Sequence, residues 1–303
     1  MYEQIASNKR RSWLLIIIFI AVVVLIGYIF GEATFFGPAG VAIAVVIAVA
    51  MSFSSYYYSD RIVLSISKAR PVEKSEYPHL YNSIEGLSIA AGIPVPKMYV
   101  IDDSAPNAFA TGRDPKHGAI AVTTGLIEKM DRLELEGVIA HEMSHIKNYD
   151  IRMASMTVVL VGIVALLSDW MLRSFFWGGG RRRGGGRGNQ GVLFIIVGLA
   201  MAILAPIIAQ AIRLAVSRQR EYLADSSGAM LTRYPPGLAS ALKKLGDDEE
   251  PLAVANKATA HMYIINPLLE HKSKINNLFK THPPLYDRIK RLDALSLEET
   301  TEK

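Results

Sequence analysis

The chain has no cysteine among its 303 residues. A disulfide scaffold is therefore excluded, and a catalytic domain facing the reducing cytosol fits comfortably. It also lacks a G-x-x-x-x-G-K-S/T phosphate loop and a G-x-S-x-G elbow, which argues against a nucleotide hydrolase and a serine hydrolase. Histidine is scarce, with 7 residues. Four of these, His79, His117, His261 and His271, stand at no partner spacing and read as solvated or structural.

Two of the others fall in one stretch, His141-Glu142-Met143-Ser144-His145. Residues i and i+4 share a helix face, so both imidazoles can reach one metal ion. Glu142 then sits beside that ion, placed as the catalytic base that takes a proton from a polarised water. An amphipathic helix with two solvated histidines is the plainer alternative. The preceding run, Asp131 to Ala140, has helical spacing at Leu133, Val138 and Ile139 and neither proline nor a turn cluster, which favours a metal-binding helix.

A catalytic zinc site uses three protein ligands. The best further candidate is Glu221 in Ser217-Arg218-Gln219-Arg220-Glu221-Tyr222-Leu223-Ala224-Asp225. Asp225, four residues on, shares its face and can accept a hydrogen bond from the free ring nitrogen of His141 or His145. Alone, E-x-x-x-D also fits a surface helix with a weak Arg218 or Arg220 to Glu221 ion pair.

With these segments, Asn107-Ala108-Phe109-Ala110-Thr111-Gly112 and Thr281-His282-Pro283-Pro284, the chain resembles the HtpX-type membrane zinc metallopeptidases, relatives of the CAAX prenyl endopeptidases. The resemblance covers nearly the whole chain. It implies one Zn2+ per chain held by His141, His145 and Glu221, with Glu142 as catalytic base. It also implies quality control of misfolded membrane proteins under stress, in a prokaryotic plasma membrane. The Gly/Arg tract at 178–188 stands outside the family's core pattern.

Half of the residues are apolar and the mean hydropathy is +0.23. The apolar residues concentrate in runs. About 20 residues span the ~30 Å hydrocarbon core of a bilayer. Trp13–Phe30 and Phe35–Phe53 are both long enough, and the second run speaks against a cleaved signal peptide. Two more runs, 153–167 and 192–212, flank the Gly/Arg tract. The former is short and ends at Asp169, so a membrane-dipping or protein-packed hairpin is the alternative to two further spans.

Lys9, Arg10 and Arg11 before the first run, and Arg61, Lys68 and Arg70 after the second, place both ends of that hairpin in the cytoplasm. The arginines at 173–187 oppose four spans under the same rule. The net charge of +5 flanks membrane segments and suggests anionic lipid headgroups rather than nucleic acid. The Gly/Arg tract reads as a flexible loop, with RNA binding as the less favoured reading.

The expected fold is a mainly α integral membrane protein. It has four hydrophobic membrane segments and a zincin-type (gluzincin) α+β catalytic domain with a small sheet. Residues 1–12 form a cytoplasmic N-terminus and 13–53 a transmembrane hairpin. Residues 54–152 carry the first part of the catalytic domain, 153–212 a second membrane hairpin, and 213–303 the second part with the third ligand. Glu76–Gly92, 240–245, 251–265 and 284–295 read as helices, and 97–101 and 119–123 as strands.

Asn107, Ala108, Phe109 and Ala110 are candidate substrate-binding residues, because an extended peptide can add to an edge strand there. A plain turn is the alternative. His282 is either an oxyanion donor or a capping or packing histidine. His145 lies about eight residues, roughly 12 Å of helix, before the third run. The site should therefore sit at the membrane surface, suited to membrane-protein or peptide substrates. A prenyl-protein endopeptidase and a non-catalytic scaffold with a structural zinc site are the rival functions. An intact Glu142 speaks against the scaffold.

Overall fold

The structure, a computed structural model, describes residues 2–33, 38–163, 217–255, 259–267 and 283–301. Two long helices open the chain, α1 (Tyr2–Ala33) and α2 (Pro38–Ile66). Both run past the apolar segments that seed them. Residues 2–12, expected as a cytoplasmic N-terminus, form the first turns of α1. Along α2 the buried positions include Gly40, Ala44, Ala48, Ser52, Ser55 and Ser59, a stripe of small side chains that lets helices approach closely. Leu15, Ile16, Phe19, Val22 and Val23 of α1 pack on Ala44 and Ala48, joined by Met156 and Leu160. These last two lie on α6, described over 150–163.

Other positions of the pair, among the described residues, face outward. Ile17, Val46 and Phe53 are exposed. Among the described residues, Pro38–Ile66 is long and apolar enough to cross a membrane, and only 28% of its apolar window is buried. The core helix of a soluble protein would be covered over far more of that surface. The expected second hairpin, 153–212 with its loop at 178–188, lies outside the described residues beyond position 163.

After β1 (Arg70–Pro71) comes α3 (Pro78–Ala91). Pro78 occupies its first turn, where no N–H is needed, and Gly92 closes it with a left-handed φ of 67°. Strands β2 (Lys97–Ile101), β3 (Ala108–Thr111) and β4 (Ala119–Thr123) follow. The sheet order is β1-β2-β4-β3, with β2 parallel and β3 antiparallel to β4. Every residue of β4 is buried. Ile120 and Val122 face α3 and the next helices, while Ala119 and Ala121 face Val63, Phe109 and Tyr263. A strand covered on both sides reads as an unbroken apolar run.

Thr123 caps the short α4 (Thr124–Lys129), and Asp131 caps α5 (Arg132–Lys147) in a reciprocal capping box with Glu134. Helices α7 (Arg218–Thr232) and α8 (Pro235–Asp247) pack on α5, and α9 (Leu285–Thr301) packs on α8. The described residues of 251–265 do not form the expected helix. Among the described residues there, only the 3-10 turn Ala260–Met262 is helical. The chain is instead drawn along β3, where the Ile264 N–H donates to the Ala108 carbonyl at 3.0 Å.

Candidate active site

Helix α5 brings His141, Glu142 and His145 to one side, and α7 brings Glu221 and Asp225 to meet them. His141 and Glu142 are each 1% exposed and His145 is partly buried, so the motif is not a solvated surface stripe. The two Nε2 atoms lie 3.2 Å apart. The Glu221 carboxylate stands 3.8 Å from His141 Nε2 and 3.6 Å from His145 Nε2.

The outer ring nitrogens are each held by a carboxylate. His141 Nδ1 lies 2.9 Å from Asp225 Oδ1, and His145 Nδ1 lies 3.1 Å from Asp150 Oδ2. An Nδ1–H bonded to aspartate leaves the Nε2 lone pair free. With a carboxylate beside them, two such nitrogens 3.2 Å apart are placed to share one metal ion. Donor atoms about 2.1 Å from a tetrahedral zinc lie about 3.4 Å from one another. The observed 3.2, 3.6 and 3.8 Å bracket that value. His141, His145 and Glu221 are thus a group able to hold a metal ion, and the donor set suits zinc.

Electrostatics agree. Burial, together with the Arg288 and His145 charges, pushes His141 down and keeps it neutral, against the pull of Asp225. Burial also pushes His145 down, but Asp150, Glu221 and Glu142 outweigh it and lift the imidazole to about 9. Carboxylates gathered in this way around a ligating imidazole favour a divalent cation. Glu142 goes up to about 7 through burial first, with the Glu221 charge adding to it. The Ala110 N–H donates to Glu142 and opposes the shift, as do His145 and Arg288.

Arg288 of α9 completes the core of the site and is fully buried. Its Nε and Nη2 donate to the two Asp225 oxygens at 2.8 and 2.7 Å, and its Nη1 donates to the Ile264 carbonyl at 3.0 Å. Burial pushes the Asp225 carboxyl up, but Arg288 and the His141 N–H outweigh it and hold it below the ordinary value. Sequence reasoning missed Arg288 and Asp150. The signal for Arg288 was present: it stands three residues after Leu285 and four before Leu292, a cation on the apolar face of an amphipathic helix.

A cleft opens over the metal group, lined also by Ala110, Arg220, His261, Met262 and Tyr263. His261, read from the sequence as solvated or structural, is buried in this wall. Asn107, Ala108, Phe109 and Ala110 lie on and beside the edge strand β3, not in a turn. Asn107 donates to the Ile265 carbonyl, Ala108 accepts from Ile264, and Phe109 stacks edge-on against Tyr263. Of the four, Ala110 lines the cleft. His282 lies outside the described residues.

Comparisons with known proteins agree with this geometry. Residues 74–296 match peptidase family M48. The chain is 49% identical over 291 residues to a protein named protease HtpX homolog from Dictyoglomus thermophilum, covering 96% of this chain and 93% of that one. It is 45% identical over 298 residues to a protein of the same name from Caldanaerobacter subterraneus, covering 98% of each. The fold is similar to that of S. mikatae Ste24p in its crystal structure, with a TM-score of 0.51 and 21% identity, over 97% of this chain and 67% of that one. The chain belongs to peptidase family M48, the zinc metallopeptidases.

Proposed function

We propose that the chain is a membrane-embedded zinc endopeptidase that cuts misfolded or damaged membrane proteins at the cytoplasmic face. The observation that carries the peptidase reading is the convergence of His141, His145 and Glu221 with Glu142 beside them in one cleft. The exposed apolar residues of α1 and α2 support a membrane setting. The proposed topology is four spans, with both parts of the catalytic domain in the cytoplasm.

When bound, zinc supplies Lewis acidity, lowering the pKa of water and polarising a carbonyl. The rest falls to the chain. His141 and His145 hold their Nε2 lone pairs inward because Asp225 and Asp150 fix the Nδ1 protons. Glu142 takes the proton of the attacking water on its carboxylate and hands it to the leaving amine. Its orientation comes from the Ala110 N–H. The substrate's extended chain lies along the Ala110 end of β3, in the cleft that residues 261–264 also line.

The test is proteolysis of an unfolded membrane-protein substrate by purified wild type and Glu142→Gln in the same detergent, with zinc measured on both. Zinc in both and cleavage by the wild type alone supports the proposal. Equal cleavage by both sinks it.

A further inference from the structure

The first helix reaches the metal group. Asn8, in the turns of α1 that precede the apolar run, is 3% exposed. Its Nδ2 donates to the Asn148 carbonyl at 2.9 Å and to Asp150 Oδ1 at 2.6 Å. The other Asp150 oxygen, Oδ2, takes His145 Nδ1 at 3.1 Å. Arg220 Nη1 lies 3.5 Å from both Asn8 Oδ1 and Asp150 Oδ1. The path from the first helix to His145 is therefore two hydrogen bonds long and runs through a buried carboxylate.

The local backbone is shaped for this. Helix α5 ends at Lys147, and Tyr149 takes a left-handed φ of 62°, uncommon for a bulky residue. That turn brings Asp150 back beneath His145. Lys9, beside Asn8, lies 4.4 Å from the centre of the Tyr149 ring, and Arg152 approaches the same ring at 5.2 Å. Lys9 and Asn8 of α1 thus hold all three residues, Asn148, Tyr149 and Asp150.

A ligating histidine takes its orientation and basicity from the partner of its other nitrogen. That partner must itself be held. Asp150 has Arg220 on the same oxygen that Asn8 binds, and without the amide the carboxylate can turn toward the guanidinium and away from His145. We infer that Asn8 is a positioning residue for the zinc site. It fixes the Asp150 carboxylate that orients His145, so the membrane-leading helix is part of the metal centre's support. This rests on the reading of His145 as a zinc ligand.

The experiment uses the full chain in detergent, with zinc affinity measured by chelator competition and the Co2+-substituted protein followed by its absorption spectrum. Asn8→Ala should weaken zinc binding about tenfold, the lower end for an outer-shell change, and shift the cobalt bands. Asn8→Asp keeps the side-chain volume, removes the donor to Asp150 and should act in the same direction, so the test survives if the alanine variant does not fold. In an Asp150→Ala background, Asn8→Ala should add nothing. Unchanged affinity and cobalt bands in both Asn8 variants would overturn the inference. So would an undiminished Asn8 effect in the Asp150→Ala background, because the residue would then act on the fold rather than through Asp150. Zinc retained in full by His145→Ala would instead remove the ligand reading, and the inference with it.

Discussion

Gly228 of α7 lies so close to His141 of α5 that a Cβ on it would meet the His141 main-chain nitrogen at 2.9 Å. Gly228 is seven residues after Glu221 and three after Asp225, so all three share a face of α7. The missing side chain lets that face approach until the carboxylates reach the imidazoles. Gly137 does the same on another side of α5, where a Cβ would meet the Leu238 nitrogen of α8 at 2.7 Å.

Gly228→Ala is accordingly expected to destabilise. In an open helix alanine gains roughly 0.8–1 kcal/mol over glycine. Here the clash is with backbone, and overpacking costs about 1–3 kcal/mol. A lower Tm and weaker zinc retention should appear together, because α7 carries Glu221. A variant with a raised Tm and unchanged zinc would show that the helices can part without consequence.

Glu142→Gln should retain zinc and lose peptidase activity by on the order of 10²- to 10⁴-fold, the usual worth of a positioned acid–base group. Metal analysis and turnover of the same preparation check both halves. Loss of zinc would mean that Glu142 holds the metal rather than the proton.

Arg288→Met removes the charge partner of a carboxylate that is 2% exposed. Breaking a buried pair from one side costs about 3–5 kcal/mol, read as a drop in thermal or denaturant stability. Arg288→Lys should recover little of it, since an ammonium cannot bridge both Asp225 oxygens as the guanidinium fork does. A lysine variant as stable as wild type would show that charge alone suffices.

The Glu134 carboxyl predicts the acid limb of stability. Burial pushes it up, but the hydrogen bonds from Lys244, Ser240 and the Asp131 N–H outweigh this and hold it below its ordinary 4.5. A carboxyl lowered on folding stabilises above its unfolded value, and that stabilisation fades as pH falls through the folded one. Tm should therefore fall below about pH 4.5, and Glu134→Gln should flatten the fall. A Gln variant with the same acid limb as wild type would assign the loss to other carboxylates.

The helical i,i+4 rule made much of the site legible. His141 with His145, and Glu221 with Asp225, are local relationships that any helix would realise. The strands at 97–101 and 119–123 were equally plain, because both are apolar runs between turn residues. What escaped were contacts between elements far apart in sequence. Asp150 follows a broken helix end, where no fixed period applies. Arg288 reaches Asp225 across 63 residues, and Asn8 reaches Asp150 across 142. The 251–265 segment has helix-compatible spacing, yet pairing with Ala108 and burial of Tyr263 override it.

The proposed four spans place position 185 outside the cell. Because the chain has no cysteine, Gly185→Cys provides a single label site for an impermeant thiol reagent on intact cells. Labelling from outside is expected. Labelling only after the membrane is opened would replace the two later spans with a membrane-dipping or protein-buried hairpin, as the positive-inside rule would have it.

The bond from Ile264 to Ala108 has a colloidal consequence. An unpaired strand edge is a template on which other chains polymerise. Here one edge strand, β1, is two residues long and ends in Pro71, which has no N–H to offer. The other, β3, is four residues long and already carries the chain's own 264 segment at its Ala108 end. The rim that remains, at the Ala110 end of β3, is where the substrate is proposed to lie. A protein proposed to work among damaged chains, themselves rich in sticky extended segments, is poorly suited to seeding their aggregation.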